Sequence, residues 1–159
     1  MMNKLTFREL IDTHAGWAAL VLRVPVGVIL AAHGGQKLFG WWGGPGVDGL
    51  GQYLASIGIV PGTFWALLAG GAEFFGGLAL IVGVLTRPAA VLNVIAMAVA
   101  VFYMHGPNGL FLSNNGFEYA LTVMVVVLAL AIQGGGTYSV DEWLTKRQDA
   151  DNMGSPSPA

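Results

Sequence analysis

The sequence predicts an all-α integral membrane protein, a four-helix bundle with a short interfacial helix in the first outer loop. Three observations predict this class: 55% of the 159 residues are hydrophobic, only 10% are charged, and the mean hydropathy is +0.65. Soluble chains carry roughly 25% charged residues, so a lipid bilayer is the expected surroundings. The net charge of -2 shows no basic concentration, which argues against a nucleic-acid partner.

Four apolar segments have the length that a membrane span requires, at about 1.5 Å per residue across a hydrocarbon layer of about 30 Å. They cover about residues 15–33, 63–85, 88–105 and 117–133. The first segment could alternatively be a secretory signal, but Arg23 at its middle argues against a cleaved signal. Short connections favour antiparallel neighbours, so we expect an up-down-up-down bundle.

The first connection contains an amphipathic pattern, and the C-terminal region becomes polar. Leu50, Tyr53, Leu54 and Ile57 recur at helical spacing after Asp48, which predicts a surface helix capped by that aspartate. A second interfacial helix is expected around Trp143. Residues 1–147 then form a single membrane domain, and residues 148–159 a disordered polar tail.

The distribution of basic residues predicts the orientation of the bundle. Four spans place both termini on the same side, and that side carries nearly all the basic side chains outside the spans: Lys4, Arg8, Arg87, Lys146 and Arg147. Lys37 alone lies on the other side. The positive-inside rule therefore predicts a multi-pass protein of the cytoplasmic membrane with both termini in the cytoplasm.

Two charged residues, Arg23 and Glu73, lie inside predicted spans. Each sits on a stripe of small residues, and their estimated depths agree, so we expect them to face each other as an intramembrane ion pair. An unpaired charge at this depth costs at least about 2.5–3.5 kcal/mol. The pair could fix the helix register, or it could order a ligand or carry protons, and the sequence leaves both roles open.

A second group of polar residues is predicted at the outer face. His33 ends the first span, His105 ends the third and Glu118 begins the fourth, with Lys37 close to His33. Histidine and glutamate can bind a quinone carbonyl or exchange its protons near neutral pH. Solvated helix ends without a ligand are the most frequent interpretation of such residues, and a metal or haem is the least favoured. Asn93 is a further candidate, although an interhelical hydrogen bond is the better explanation of an asparagine in a span.

The chain has no cysteine, so disulfides, iron–sulfur clusters and thiol chemistry are excluded. No nucleophile elbow or phosphate-binding loop is present, and the sequence identifies no catalytic residue. Redox chemistry would therefore require a bound cofactor or a partner subunit.

The sequence resembles the DoxX family of small four-helix bacterial membrane proteins. The resemblance is carried by Arg23, by the H-G-x-Q-K-L-F-G run at residues 33–40 and by the E-x-x-G-G-L-x-L-x-x-G-x-L-T-R run at residues 73–87. It covers about residues 15–133. It implies a cytoplasmic-membrane protein and a link by name to a subunit of thiosulfate:quinone oxidoreductases. An enzymatic activity is not inherited automatically from such a resemblance.

Two functions from different classes follow. The first is a redox-linked membrane subunit that binds a quinone or a similar small molecule and works with a partner oxidoreductase subunit. The second is a non-enzymatic scaffold or a small-solute permease, for which a homo-oligomer could build the pathway.

Overall fold

A computed structural model describes residues 11–13 and 15–154, and this part of the chain contains helices and no strand. Two basic residues of the orientation prediction, Lys4 and Arg8, lie outside the described residues. The same is true of residues 155–159 of the predicted disordered tail. The main helices are α1 (Trp17–Phe39), α2 (Gly46–Ser56), α3 (Gly62–Val82), α4 (Thr86–Val99), α5 (Glu118–Gln133) and α6 (Val140–Gly154). A π-helical turn, Ala100–His105, continues α4, and three short 3-10 turns complete the connections: Trp41–Gly43, Gly106–Asn108 and Leu112–Asn114.

The all-α prediction is confirmed. Trp17–Phe39, Gly62–Val82 and Thr86–Asn108 are long and apolar enough to cross a membrane. The fourth apolar helix, α5, has 16 residues and a length of about 24 Å. These helices alternate in direction, which gives the bundle a loop end (residues 33–39 and 105–118) and a terminal end (residues 11–13, 83–87 and 133–139).

Several boundaries differ from those predicted. Helix α1 continues from His33 to Phe39 because no proline intervenes, and Gly40, in the left-handed conformation, provides the stop. The surface helix α2 exists, but Asp48 lies in its first turn rather than capping it. Helix α6 continues to Gly154, beyond the expected start of the tail at residue 148, because proline and serine become frequent only from that glycine onward.

Helices α1 and α3 pack in direct backbone contact through glycines, and this contact fixes their register. A Cβ atom added to Gly27 would lie 3.0 Å from the nitrogen of Ile81, and one added to Gly77 would lie 2.5 Å from the nitrogen of Ala31. A Cβ atom added to Gly34 would overlap the backbone of Phe74. The two helices are therefore antiparallel in a fixed register. Moving one residue toward the C-terminus of α1 corresponds to moving one residue toward the N-terminus of α3. Close approach of this kind through small residues is a common way of joining helices in membranes.

The bundle is apolar inside and apolar outside. Its core consists of buried aliphatic side chains and one methionine: Ala19, Val26, Leu30, Leu80, Ala89, Ala90, Met97, Val123, Val127 and Leu130. Large apolar side chains such as Val21, Leu67 and Leu128 point outward and are about half exposed or more. A surface of this kind is suited to lipid rather than to water.

The terminal end is closed by α6 and the segment before it. The carboxylate of Asp141, which is 1% exposed, accepts hydrogen bonds of 2.8 Å from the backbone N–H groups of Leu85 and Thr86. The N–H of Asp141 in turn donates to the carbonyl of Gly83 at 3.0 Å. Asp141 therefore satisfies the N-terminus of α4 and holds Leu85 in its left-handed conformation.

The glycine contact predicts a large difference between two otherwise similar substitutions. Gly34→Ala should lower the free energy of unfolding by about 1–3 kcal/mol, because the new methyl group overlaps the backbone of α3. Gly71→Ala, with open space around its Cβ position, should be neutral or slightly stabilising. Unfolding by sodium dodecyl sulfate in mixed micelles measures both variants. Equal stabilities would contradict the direct contact between α1 and α3.

Candidate ligand-binding site

The centre of the site is an ion pair between Lys37 and Glu73 near the loop end. The Lys37 Nζ atom donates to both carboxylate oxygens of Glu73, whose side chain is 2% exposed, whereas that of Lys37 is 27% exposed. Side chains on a helix lean toward its N-terminus. Because α1 and α3 are antiparallel, the side chain of Lys37 leans toward the terminal end and that of Glu73 leans toward the loop end. The two charged groups therefore meet.

The predicted ion pair between Arg23 and Glu73 is wrong, and the helix register gives the reason. Glu73 lies at the level of Gly35, so Arg23 is twelve residues, or about 18 Å, further along α1. The sequence-based estimate assumed that both spans begin at one level. In the structure α3 ends at Val82, at the level of Val26, and leaves Arg23 beyond its last turn.

Arg23 instead joins backbone segments at the terminal end. Its guanidinium group, 2% exposed, donates to the carbonyls of Gly135 at 3.2 Å, Leu80 at 3.1 Å and Tyr138 at 2.8 Å, and also to that of Ile81. These carbonyls belong to the end of α3 and to the segment between α5 and α6. Arg23 is therefore a structural clamp, with the buried carboxylate of Asp141 nearby.

A cavity of about 100 Å³ lies beside the ion pair, between α1, α3, α5 and the π-helical extension of α4. Lys37 and Glu73 line it together with His33, His105 and Tyr119, and Leu30, Met97 and Val123 are among its apolar lining residues. The Tyr119 hydroxyl lies 3.4 Å from Nε2 of His33. The structure thus brings together three of the predicted candidates, His33, Lys37 and His105, and adds Glu73 and Tyr119.

Two predicted candidates do not line this cavity. The carboxylate of Glu118 accepts a hydrogen bond of 2.6 Å from the N–H of Leu112 and so belongs to the loop before α5. Asn93 is fully buried and donates to the carbonyls of Ala72 at 3.2 Å and Ala89 at 2.9 Å. Asn93 therefore makes an interhelical hydrogen bond, the better of the two explanations for an asparagine in a span.

The cavity offers both donors and acceptors to a small ligand. The Nδ1 atom of His105 lies 2.9 Å from the carbonyl oxygen of Asn115, and a carbonyl can only accept, so this nitrogen carries the proton. In the neutral ring Nε2 is then an acceptor. Among the described residues, no group of three histidines, aspartates or glutamates could hold a metal ion.

Sequence reasoning missed Tyr119 and the pairing of Lys37 with Glu73. No pattern in the sequence distinguishes Tyr119 from the other three tyrosines of the chain. The pairing could have been found from the glycines of α1 and α3. Gly27, Gly34 and Gly77 face backbone of the other helix, and aligning close-packed positions of this kind gives the register without a depth estimate.

The fold and the site define a multi-pass membrane protein with an ionisable cluster inside its helical bundle. Residues 18–106 match the DoxX family. The inner membrane protein YqjF of Escherichia coli is 37% identical over 130 residues, covering 77% of this chain and 95% of that protein. The putative oxidoreductase CatD of Bacillus subtilis is 28% identical over 84% of this chain and 92% of its own. An uncharacterised membrane protein of Mycobacterium tuberculosis is 31% identical over 84% of this chain and 85% of its own.

The chain therefore belongs to the DoxX family, as its sequence motifs indicated. The motif residues have separate structural places: Glu73 and the His33–Gly40 run form the cavity end, whereas Arg23 forms the terminal clamp. No solved structure matches the chain.

The two possible pairings of Glu73 can be separated by a double-mutant cycle. Lys37→Met should destabilise the bundle by about 3 kcal/mol, near the lower limit for a broken buried pair because Lys37 is partly exposed. Adding Glu73→Leu should recover most of this loss, since no buried charge then remains unpaired. Unfolding of the four proteins by sodium dodecyl sulfate measures the coupling.

The matched control is a second cycle with Arg23→Met and Glu73→Leu, whose effects should simply add. Recovery in the Arg23 cycle, without recovery in the Lys37 cycle, would favour the Arg23–Glu73 pair instead.

Proposed function

We propose that this chain is a membrane subunit of a redox system, and that its cavity binds the polar ring of a quinone or a similar uncharged molecule. One observation carries the proposal: a buried carboxylate paired with an ammonium group shares a cavity with two histidines and a tyrosine. Intramembrane groups of this kind are costly to bury and are usually functional. The name of the Bacillus subtilis relative adds support for an oxidoreductase association.

The proposed ligand matches the cavity in charge. Lys37 and Glu73 neutralise each other, and the remaining polar groups are uncharged while the histidines are neutral. An uncharged carbonyl compound can accept hydrogen bonds from Lys37 or Tyr119, and its reduced hydroxyl form can donate to a histidine nitrogen. The cavity, about 100 Å³, is smaller than the roughly 300 Å³ of common ligand pockets, so it suits a single ring.

The chemistry divides between this chain and its partner. Reduction of a quinone to a hydroquinone consumes two electrons and two protons. In this proposal the partner oxidoreductase supplies the two electrons, since this chain has no cysteine for thiol or iron–sulfur redox chemistry. His33 and His105 hold and pass protons at the ring oxygens, since imidazole is the side chain best suited to exchanging protons near neutral pH.

We also propose that the terminal end of the bundle lies in the cytoplasm. Arg87, Lys146 and Arg147 lie at the terminal end, while Lys37 at the loop end is already paired with Glu73. This asymmetry supports a cytoplasmic terminal end in a bacterial inner membrane, with residues 1–147 acting as one membrane domain. The ligand cavity would then open toward the outer side.

Binding of a short-chain benzoquinone to protein in nanodiscs tests the proposal. Tyr119→Phe and His33→Ala should each weaken binding by about tenfold, which corresponds to about 1.4 kcal/mol for one lost hydrogen bond. Both residues are exposed at the mouth of the cavity, so the bundle should still fold. Glu118→Gln, which alters the loop rather than the cavity, is the matched control and should bind normally.

The alternative function predicts other results. Unchanged quinone affinity in both variants, together with solute uptake by reconstituted vesicles that Glu73→Gln abolishes, would replace the redox proposal with a permease. A scaffold would retain a partner protein and tolerate the cavity variants.

A further inference from the structure

An apolar groove of about 480 Å³ lies on the outer surface of the bundle, along the seam between α3 and α4 and beneath α2. Every residue that lines it is apolar or glycine. Leu54 and Ile59 close it toward the loop end, Leu68 and Phe75 form the α3 side, and Leu92 and Ile95 form the α4 side. Its volume falls within the range of ordinary ligand sites, roughly 300–1,000 Å³.

The groove and the polar cavity are separated only by the α3–α4 seam. Ala72 lines the groove and its neighbour Glu73 lines the cavity. In the same way, Ala96 and Val99 line the groove, and their neighbours Met97 and Ala100 line the cavity. The two spaces therefore lie back to back at one level of the bundle.

The seam is joined by a hydrogen bond at the level of Glu73 and is lined by small side chains further toward the loop end. At the level of Glu73, the Asn93 side chain donates to the carbonyl of Ala72 and so joins α3 to α4. Toward the loop end, the α3 and α4 positions are alanines, Ala69, Ala96 and Ala100, and the π-helical turn begins there. π-helical turns are frequent at functional sites.

We infer that the ligand is an amphiphile whose polar ring occupies the cavity and whose long apolar chain crosses the α3–α4 seam and lies in the groove. This inference rests on the proposed function and adds the chain as a second recognition element. Two features support it: the uncharged groove complements an aliphatic or isoprenoid chain, and the cavity beside it is sized for the ring alone. The ligand would enter sideways from the bilayer.

A chain-length comparison tests the inference. The probes are a benzoquinone without a side chain and the same benzoquinone with a decyl chain, measured in phosphatidylcholine nanodiscs with concentrations expressed per lipid volume. We expect the unmodified protein to bind the decyl compound about tenfold more tightly, which corresponds to about 1.4 kcal/mol. Because lipid is itself apolar, this difference comes from close van der Waals packing of the chain against the groove walls and not from its removal from water.

A groove-filling variant locates the effect. Gly71 lines the groove, and a Cβ atom added there would meet no other atom within 4 Å, so we expect the side chain of Gly71→Leu to extend into the groove and fill it. It should remove the advantage of the decyl compound and leave binding of the unsubstituted quinone unchanged. Ala18→Leu, on an exposed position of α1, is the matched control and should keep the advantage.

The outcomes separate the inference from the proposed function. Binding of both quinones with equal affinity, or a chain-length advantage that survives in Gly71→Leu, would overturn the inference and leave the ring site intact. Release of bound phospholipid as the sole effect of Gly71→Leu would overturn it as well. Binding of neither quinone would instead contradict the proposed function. Thermal unfolding of Gly71→Leu and of the milder Gly71→Ala verifies that the variants are folded.

Discussion

Backbone contact between α1 and α3 is the constraint on which the rest of the structure depends. Where two helices touch through glycine there is no side chain to absorb a shift, so Gly27, Gly34 and Gly77 determine the register closely. That register brings Lys37 to Glu73 and allows a carboxylate to be buried inside an apolar bundle. The register therefore produces a cavity that is lined by ionisable side chains.

The same register divides the charged residues between two ends with different roles. At the terminal end, Arg23 and Asp141 satisfy backbone groups where α3 stops and α4 begins, which are groups that lipid could not satisfy. At the loop end, Lys37 and Glu73 satisfy each other and lie beside open space. The charged groups at one end hold backbone segments together, and those at the other end line a cavity.

The class of fold could be predicted from the sequence because it depends on composition and segment length. Three helices long and apolar enough to cross a membrane and the position of α2 are confirmed, and the weakest predictions were the helix ends at Phe39 and Val82. These helix ends determine which residues form the site. A first span that ends at His33 leaves Lys37 outside the helix, and spans aligned at a common level place Glu73 beside Arg23. Local patterns do not contain this information, since the register depends on glycine contacts between residues 40 to 54 positions apart.

Some site residues were nevertheless accessible from the sequence. The placement of His33 and His105 at the same end of the bundle follows from alternating topology alone, because each ends a predicted span on that side. Both line the cavity. Asp141 could not be found in this way. Its carboxylate accepts a hydrogen bond from Thr86 of α4, 55 positions away, and nothing in the local sequence distinguishes it from the acidic residues that follow it.

The most direct test of the Lys37–Glu73 pair is a dipolar-coupling measurement by magic-angle-spinning NMR on isotope-labelled protein in lipid bilayers. A coupling between the ζ-nitrogen of Lys37 and the δ-carbon of Glu73, lost in Lys37→Met, is the predicted result, because an ion pair holds these groups within about 4 Å. A coupling from Glu73 to the guanidinium nitrogens of Arg23 instead would contradict the register, the cavity and the function built on them.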